Sequence, residues 1–288
     1  MKVAHILLVH KDPPQVARLI RSLCHPNVDC WVHVDKKSNI EDFRKVLAMK
    51  KVFLIQPRLR VDWGCFNTVD AMIFAMSTVL KAETKYDYVN FLSGQDYPLQ
   101  PADTFLSFLE INTGSQLMGN RPLEESNENI IRFKKHYFNY YSSPVIRLSE
   151  KFINKVLPNR TFPYPHEIRK GSQWMALSRN AVSYILKFVA DNPRYLNYFK
   201  TVHIPDEFFF QTILYNSPFK DTIRNPNLHY IDWSEGKKNP KLLTIEDYNK
   251  LVSSNLFFAR KFDPKVNASI LDALDERILH RANVSSEA

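Results

Sequence analysis

Tyr88-Val89-Asn90-Phe91-Leu92-Ser93-Gly94-Gln95-Asp96-Tyr97-Pro98 is the stretch on which the fold turns. Tyr88 to Leu92 is a short, largely apolar run, and the Gly-containing loop from Ser93 to Pro98 closes it, which is the pattern of a strand with its end at a turn. Working outward, the same pattern recurs towards the N-terminus. Val3 to Val9 reads as a buried strand, Trp31 to Val34 as a second and Val52 to Ile55 as a third. Between them the apolar residues change to helical spacing. Val16, Leu19, Ile20 and Leu23 mark one helix, Ile40, Phe43, Val46 and Leu47 another, and Thr68 to Lys81 a long one. Strands alternating with helices imply βαβ units around a mostly parallel sheet, hence an α/β fold. In such sheets ligands bind beyond the carboxyl ends of the strands. Those ends carry His10, Asp35 and the Ser93 to Asp96 loop. No G-x-G-x-x-G follows the first strand and no P-loop occurs, which disfavours a dinucleotide-binding Rossmann protein and an NTPase.

Towards the C-terminus the reading is less regular. Pro101 to Leu109 is a helix begun by a proline, and Gln116 to Met118 a short strand. Arg121 to Lys135 mixes charges, and Phe138-Asn139-Tyr140-Tyr141 is an aromatic, polar stretch suited to facing a sugar or covering a surface. Val145 to Val156 is an amphipathic basic helix, and Pro158 to Pro165 a loop. The middle reads as an insertion or lid packed on the same sheet, with no clean domain boundary and no repeat. The strand–helix pattern resumes with Trp174 to Leu177 and Ala181 to Val189. It continues with Leu228 to Asp232, Ile245 to Leu251 and the amphipathic helix Ile270 to Leu279.

The chain has 288 residues, 44% hydrophobic and 24% charged, enough for one large α/β domain or two intimate ones. Six Gly against 20 Phe, 13 Tyr and 4 Trp argue against disorder and flexible linkers. The net charge of +9 favours polyanions, anionic membrane surfaces or phosphorylated small molecules without choosing among them. A nucleic-acid partner is disfavoured, because no single helix carries a basic stripe and no binding motif is present. Cys24, Cys30 and Cys65 are odd in number and lack metal-ligand spacing, so they read as reduced thiols. The apolar run at the N-terminus is cut off by Asp12-Pro13-Pro14, too early for a secretory signal or a span. A soluble protein is the expectation, with attachment to a membrane surface left open.

One acidic stretch is mounted for chemistry. In His203-Ile204-Pro205-Asp206-Glu207-Phe208-Phe209-Phe210-Gln211-Thr212-Ile213, Pro205 suits a first helical turn. Asp206 and Glu207 then sit where the helix dipole favours negative charge, with an apolar run behind them. Two carboxylates held at the rim of a core are a good mounting for a general base; the plain alternative is that both merely complement a helix end.

Six motifs in register resemble one family. They are Val32 to Ser38 (Val32-His33-Val34-Asp35-Lys36-Lys37-Ser38), Val61-Asp62-Trp63-Gly64, Tyr88 to Pro98, Gly171-Ser172-Gln173-Trp174, Pro205-Asp206-Glu207 and Phe258-Ala259-Arg260-Lys261-Phe262-Asp263. Together they resemble the core-2/I-branching β-1,6-N-acetylglucosaminyltransferase family, which also includes peptide O-xylosyltransferases. The resemblance spans the first strand to the last helix. It implies a GT-A-type glycosyltransferase fold over 1–288, with 1–110 as the nucleotide-sugar-binding half and 111–288 as the acceptor-binding and catalytic half. It implies inverting transfer from a UDP-sugar to a glycan or lipid-linked glycan, with N-acetylglucosamine the commoner donor and xylose the runner-up. A catalytically inactive carbohydrate-binding protein on the same fold is the competing reading, and the intact Glu207 and Lys261 argue against it.

The family needs no metal, and the sequence agrees independently, because it contains no Asp-x-Asp. No cofactor is expected. By the resemblance, Glu207 is the catalytic base and Lys261 neutralises the leaving diphosphate. The family's second cation, an Arg, falls on Lys238 when aligned without gaps, with Lys237 and Lys241 as alternatives; Lys lacks the bidentate fork of Arg. Asp35 matches a donor-side Asp near the nucleoside. Asp96 is a donor-side candidate that serves equally well as a structural residue, and His10 is a further candidate. Trp233 and Tyr230 suit stacking on an acceptor sugar, though aromatics at a strand end are as often core. Eukaryotic members are Golgi membrane proteins with a stem and several cysteines. Neither feature shows here, as expected of a bacterial-type, cytoplasmic enzyme that contacts the inner membrane face at most peripherally.

Overall fold

The computed structural model describes residues 1–138, 143–226 and 228–286. In chain order the first elements are β1 (Val3–Val9), α1 (Pro13–Ser22), β2 (Val28–Val34), α2 (Ile40–Leu47), β3 (Val52–Leu54), α3 (Asn67–Leu80) and β4 (Tyr88–Ser93). Then come β5 (Asp96–Pro98), α4 (Ala102–Ile111), β6 (Gln116–Leu117), β7 (Arg121–Pro122), α5 (Asn127–Lys134) and α6 (Pro144–Val156). They are followed by β8 (Arg169–Lys170), β9 (Ala176–Ser178), α7 (Arg179–Asp191), α8 (Pro193–Phe199) and α9 (Phe209–Tyr215). The last are β10 (Ile223–Arg224), β11 (His229–Ile231), α10 (Tyr248–Ser253), β12 (Phe258–Arg260) and α11 (Ser269–Ser286). The architecture is mixed α/β with a mostly parallel sheet and flanking helices, as the alternating pattern implies.

The chain divides into two compact units. One is formed by Met1–Gln56, Tyr86–Gly114 and Asn227–Ala288, the other by Pro57–Lys85 and Ser115–Pro226. The two are interleaved along the sequence, so no single linker marks a boundary.

In the first unit, β1 lies between β2 and β4, with β3 beyond β2, and all pairs are parallel. Parallel strands covered on both faces read as continuous apolar runs, and in β1 Val3, Ala4, Ile6 and Leu7 are all fully buried. The one polar residue of that run, His5, meets Asn90 of β4 at 3.0 Å, and burial pushes its pKa down to about 3, so the ring is neutral. The register sets Val9 beside Val34 and Leu8 beside Ser93. The carboxyl ends of three strands therefore finish level, at His10, Asp35 and the loop after Ser93. A second, three-stranded sheet pairs β12 parallel with β11 and antiparallel with β5, setting Arg260 opposite Asp96.

In the second unit, β6 pairs parallel with β10 and antiparallel with β9, and β7 pairs with β8. Its core is aromatic. The rings of Tyr195, Phe199 and Phe209 lie at centroid distances of 4.7–5.1 Å, and Phe133, Phe208 and Phe210 are also buried. The two contacts of Phe209 are edge-to-face, an arrangement that adds to the area they bury.

Most expected elements form within a few residues of their expected bounds. The expected helix at Ile245 to Leu251 begins as a 3-10 turn, Ile245–Asp247, closed by a capping box between Thr244 and Asp247, and only then becomes α10. The expected single helix start at Pro205 is corrected. Pro205–Glu207 is a separate 3-10 turn, and α9 begins at Phe209. Ile204 is left-handed, with φ 52°, and Phe208 leaves the helical region at φ −124°, so the acidic pair rides on a hard corner and not on the α-helix itself. The aromatic stretch at Asn139 to Tyr141 lies outside the described residues.

Candidate active site

In the second unit, three of the six motifs meet at the corner that carries Glu207. Ile204 N–H donates to Gly64 O at 2.9 Å, and Gly171 N–H donates to Glu207 O at 2.7 Å. Gln211 Nε2 donates to Ser172 O at 2.9 Å. The two glycines are required. Gly64 has φ +74°, and a Cβ there would press on the His203 ring; a Cβ on Gly171 would meet Gly119 O at 1.9 Å.

On this corner the adjacent acids differ in environment. The Asp206 side chain is buried, at 4% exposure. Its pKa is raised from 3.8 to about 7, first by burial and then by the neighbouring Glu207 charge. The Glu207 side chain is 30% exposed. Arg132 of α5 donates from Nη2 to Glu207 Oε2 at 2.7 Å, and Lys170 Nζ lies 3.7 Å from the same oxygen. Both cations thus engage Oε2, and Oε1 has no hydrogen bond among the described residues. Arg132 is itself held, with its guanidinium 5.0 Å from the centre of the Phe208 ring. Its role escapes sequence reading, because 75 positions separate it from Glu207 and it sits in a stretch of mixed charge.

In the first unit, the other three motifs meet. Phe262 N–H donates to Gln95 O at 2.9 Å, and Gln95 Nε2 returns a bond to Phe262 O at 3.1 Å. Asp35 N–H donates to Val9 O at 2.8 Å. These bonds gather charge at the strand ends. Lys261 is pushed below the usual lysine value, first by desolvation and then by the Arg260 and Lys11 charges, against Asp263 and Asp96. His10 is lowered by desolvation and then by Lys11, while Asp35 raises it and Lys261 and Lys37 lower it further. Lys11 pairs with Asp263 at 2.9 Å, and Lys37 lies 3.5 Å from Asp35. Lys261 has no ion pair among the described residues. His10, Asp35 and Lys261 therefore belong to one cluster, to which the structure adds Lys11.

Asp96 is placed differently. It is fully buried, taking bonds from Ser93 N at 2.6 Å and Ser93 Oγ at 2.9 Å, with Arg260 Nε at 3.5 Å. This geometry ties the loop after β4 to β12. Burial, the largest cause, raises its pKa.

Of the basic loop, Lys237 pairs with Glu235 at 2.9 Å, and Lys241 is bound to the buried Asp247 at 2.7 Å. Lys238 is exposed, with no ion pair among the described residues. The charges that shift Lys261 are Arg260, Lys11, Asp263 and Asp96, and none comes from this loop. At the end of β11, Trp233 is 55% exposed and Tyr230 half-buried, so neither is core. Among the described residues no group of three His, Cys, Asp or Glu side chains is arranged to hold a metal ion. No helix among them is long and apolar enough to cross a membrane.

Comparison with known proteins agrees with the motif series. Residues 3–255 match the family described as Core-2/I-Branching enzyme, and the chain belongs to that family. Among relatives, beta-glucuronosyltransferase GlcAT14A of Arabidopsis thaliana is 30% identical over 298 residues, covering 94% of this chain and 62% of that one. Xylosyltransferase oxt of Drosophila melanogaster is 27% identical over 301 residues, covering 91% of this chain and 32% of that one. The chain thus spans about a third of the length of the xylosyltransferase. Among solved structures, the apo-form glycosyltransferase GlyE of Streptococcus pneumoniae TIGR4 aligns with 91% of this chain and 55% of its own. It does so at 13% identity and a TM-score of 0.40.

Proposed function

We propose that this chain is an inverting glycosyltransferase that moves a sugar from a UDP-sugar to a glycan hydroxyl without a metal ion. The observation that carries the proposal is the state of Glu207. One carboxylate oxygen is clamped by Arg132 and Lys170 and the other is left for a substrate. A base must be both aimed and accessible. Glu207 Oε1 would take the proton from the acceptor hydroxyl as its oxygen attacks the anomeric carbon, with the UDP leaving on the opposite face.

The cluster of Lys261, Lys11, Lys37 and His10 supports the donor role of the first unit. Lys261 and His10, whose charged forms are disfavoured by desolvation and then by neighbouring cations, are poised for a polyanion, which favours those charged forms. Lys261 would meet the diphosphate, whose negative charge grows as the glycosidic bond breaks. Lys238, free of an acidic partner among the described residues, would supply the second cation on donor binding. Asp35 and His10 would line the nucleoside side, and Trp233 and Tyr230 would stack on the acceptor sugar. N-acetylglucosamine is the first donor expected. The relatives named for xylosyl and glucuronosyl transfer put UDP-xylose and UDP-glucuronate beside it in any panel.

A thermal-shift panel of these three UDP-sugars and UDP tests the reading. A ligand at a hundred times its Kd adds about 2.7 kcal/mol of stability. The expected result is a shift with UDP and a larger one with a single UDP-sugar. No shift with UDP or any UDP-sugar would contradict the proposal.

A further inference from the structure

The helix Pro144–Val156 presents an apolar stripe to solvent. Val145 is 75% exposed, Leu148 70%, Phe152 67% and Val156 63%. Spacings of three and four residues set these four on one face. Single exposed apolar side chains are ordinary, but four in a row on one helix form a continuous strip of the kind that marks a docking face. The inward face is accounted for separately. Glu150 is buried and accepts a bond from Phe138 N–H at 2.5 Å, and Asn154 takes His136 N–H at 2.8 Å. The stripe is therefore surplus to the packing of the second unit.

Its rim is basic. Lys151 and Lys155 are exposed beside the stripe and have no ion pair among the described residues. Next to them runs a groove lined by Lys135, Tyr137, Leu148, Lys151, Asn154 and Lys155. Among the described residues, only Lys135 of the three lysines there is engaged, donating to Asn154 O at 3.2 Å. The helix is anchored at its start by Pro144 in the first turn and by Ser143 Oγ, which accepts Val145 N–H at 3.2 Å.

We propose that this helix docks the protein on an anionic lipid surface. Leu148, Phe152 and Val156 would enter the headgroup region, with Lys135, Lys151 and Lys155 meeting lipid phosphates. An apolar face rimmed by lysines is the chemistry of an in-plane interfacial helix, and each lysine near the surface adds to the attraction. A second copy of the chain fits the stripe poorly, because it would bring two lysine rims together on molecules that each carry +9. The inference does not rest on the sugar-transfer reading.

The test is flotation with vesicles of pure phosphatidylcholine and vesicles containing phosphatidylglycerol, using the whole chain. The expected result is binding to the anionic vesicles at least tenfold tighter than to the neutral ones. The double variant Leu148→Ser, Phe152→Ser should lose at least tenfold with an unchanged melting temperature, since both residues are exposed. Lys151→Glu with Lys155→Glu should lose as much. Three results would overturn the proposal. One is no binding to anionic vesicles. Another is loss on charge reversal but not on removal of Leu148 and Phe152, which would make the attraction one of net charge alone. The last is a concentration-dependent dimer in lipid-free buffer that the Leu148→Ser, Phe152→Ser variant abolishes, which would make the stripe a self-association face.

Discussion

Asp206 and Glu207 share one 3-10 turn, and burial separates them. The folded-state pKa of Asp206 is near 7, against 3.8 when exposed, so between those values the native state binds more protons than the unfolded one. Stability then falls as pH rises from about 4 to about 7, the sense expected for a carboxyl raised by burial. Asp206→Asn should flatten that slope in urea titrations across the range while leaving transfer nearly intact. An unchanged slope would show that the carboxyl is not perturbed as stated. If Lys261 meets the diphosphate as proposed, Lys261→Ala should weaken UDP and UDP-sugar alike, since that charge is present in both, and should also slow the chemical step. Calorimetric titration with UDP checks the first half. The same titration on Lys238→Ala, Lys237→Ala, Lys241→Ala and Lys11→Ala identifies the second cation. Since Lys237, Lys241 and Lys11 already have acidic partners, Lys238 should show the largest loss.

At the scale of the element, the corner at Pro205 depends on its neighbours. The turn is fixed by bonds from the loops carrying Gly64 and Gly171, and the second of these approaches the Gly119 backbone too closely for any side chain. Gly171→Ala should destabilise the protein by about 1–3 kcal/mol, the usual range for overpacking, and should depress transfer more than UDP binding. A denaturation midpoint equal to wild type would contradict this packing.

Elements were legible in proportion to their length and apolar contrast. β1 and β4 are largely apolar runs of seven and six residues that show in the sequence, whereas of β2, which Asp29 interrupts, only Trp31 to Val34 was legible. β5 and β12 have three residues each, too few to show a period, so their pairing through Arg260 and Asp96 was hidden although both motifs were visible. α5 escaped because its inward residues Asn129, Arg132 and Phe133 are mostly polar. The helical start at Pro205 was misread because Pro, Asp and Glu favour the first turn of 3-10 and α-helices alike, and only the left-handed Ile204 and the break at Phe208 distinguish them.

For the whole molecule, the six motifs are scattered along the chain and sort three and three. Val32 to Ser38, Tyr88 to Pro98 and Phe258 to Asp263 build the basic strand-end cluster of one unit. Val61 to Gly64, Gly171 to Trp174 and Pro205 to Glu207 build the corner of the other. The motif order was visible in the sequence, and so were Glu207 and Lys261. The cations around them, Arg132 and Lys170 on Glu207 and Lys11 beside Lys261, were not, since contacts between residues far apart in sequence leave no local pattern. If Lys261 and a second cation neutralise the diphosphate, transfer should proceed at an unchanged rate in EDTA. A strict requirement for added Mn²⁺ would show that the cluster does not suffice.

Whether Glu207 is the general base is read from the transfer rate of Glu207→Gln. The amide is nearly isosteric and its oxygen can keep the bond from Arg132, and loss of the charge opposite Arg132 and Lys170 costs about 1–3 kcal/mol, so the variant should fold, at lower stability, and bind UDP-sugar as the wild type does. Its transfer rate should fall roughly a hundredfold or more, the scale of a positioned base, with donor affinity unchanged. Full transfer by a folded, donor-binding Glu207→Gln enzyme would contradict it.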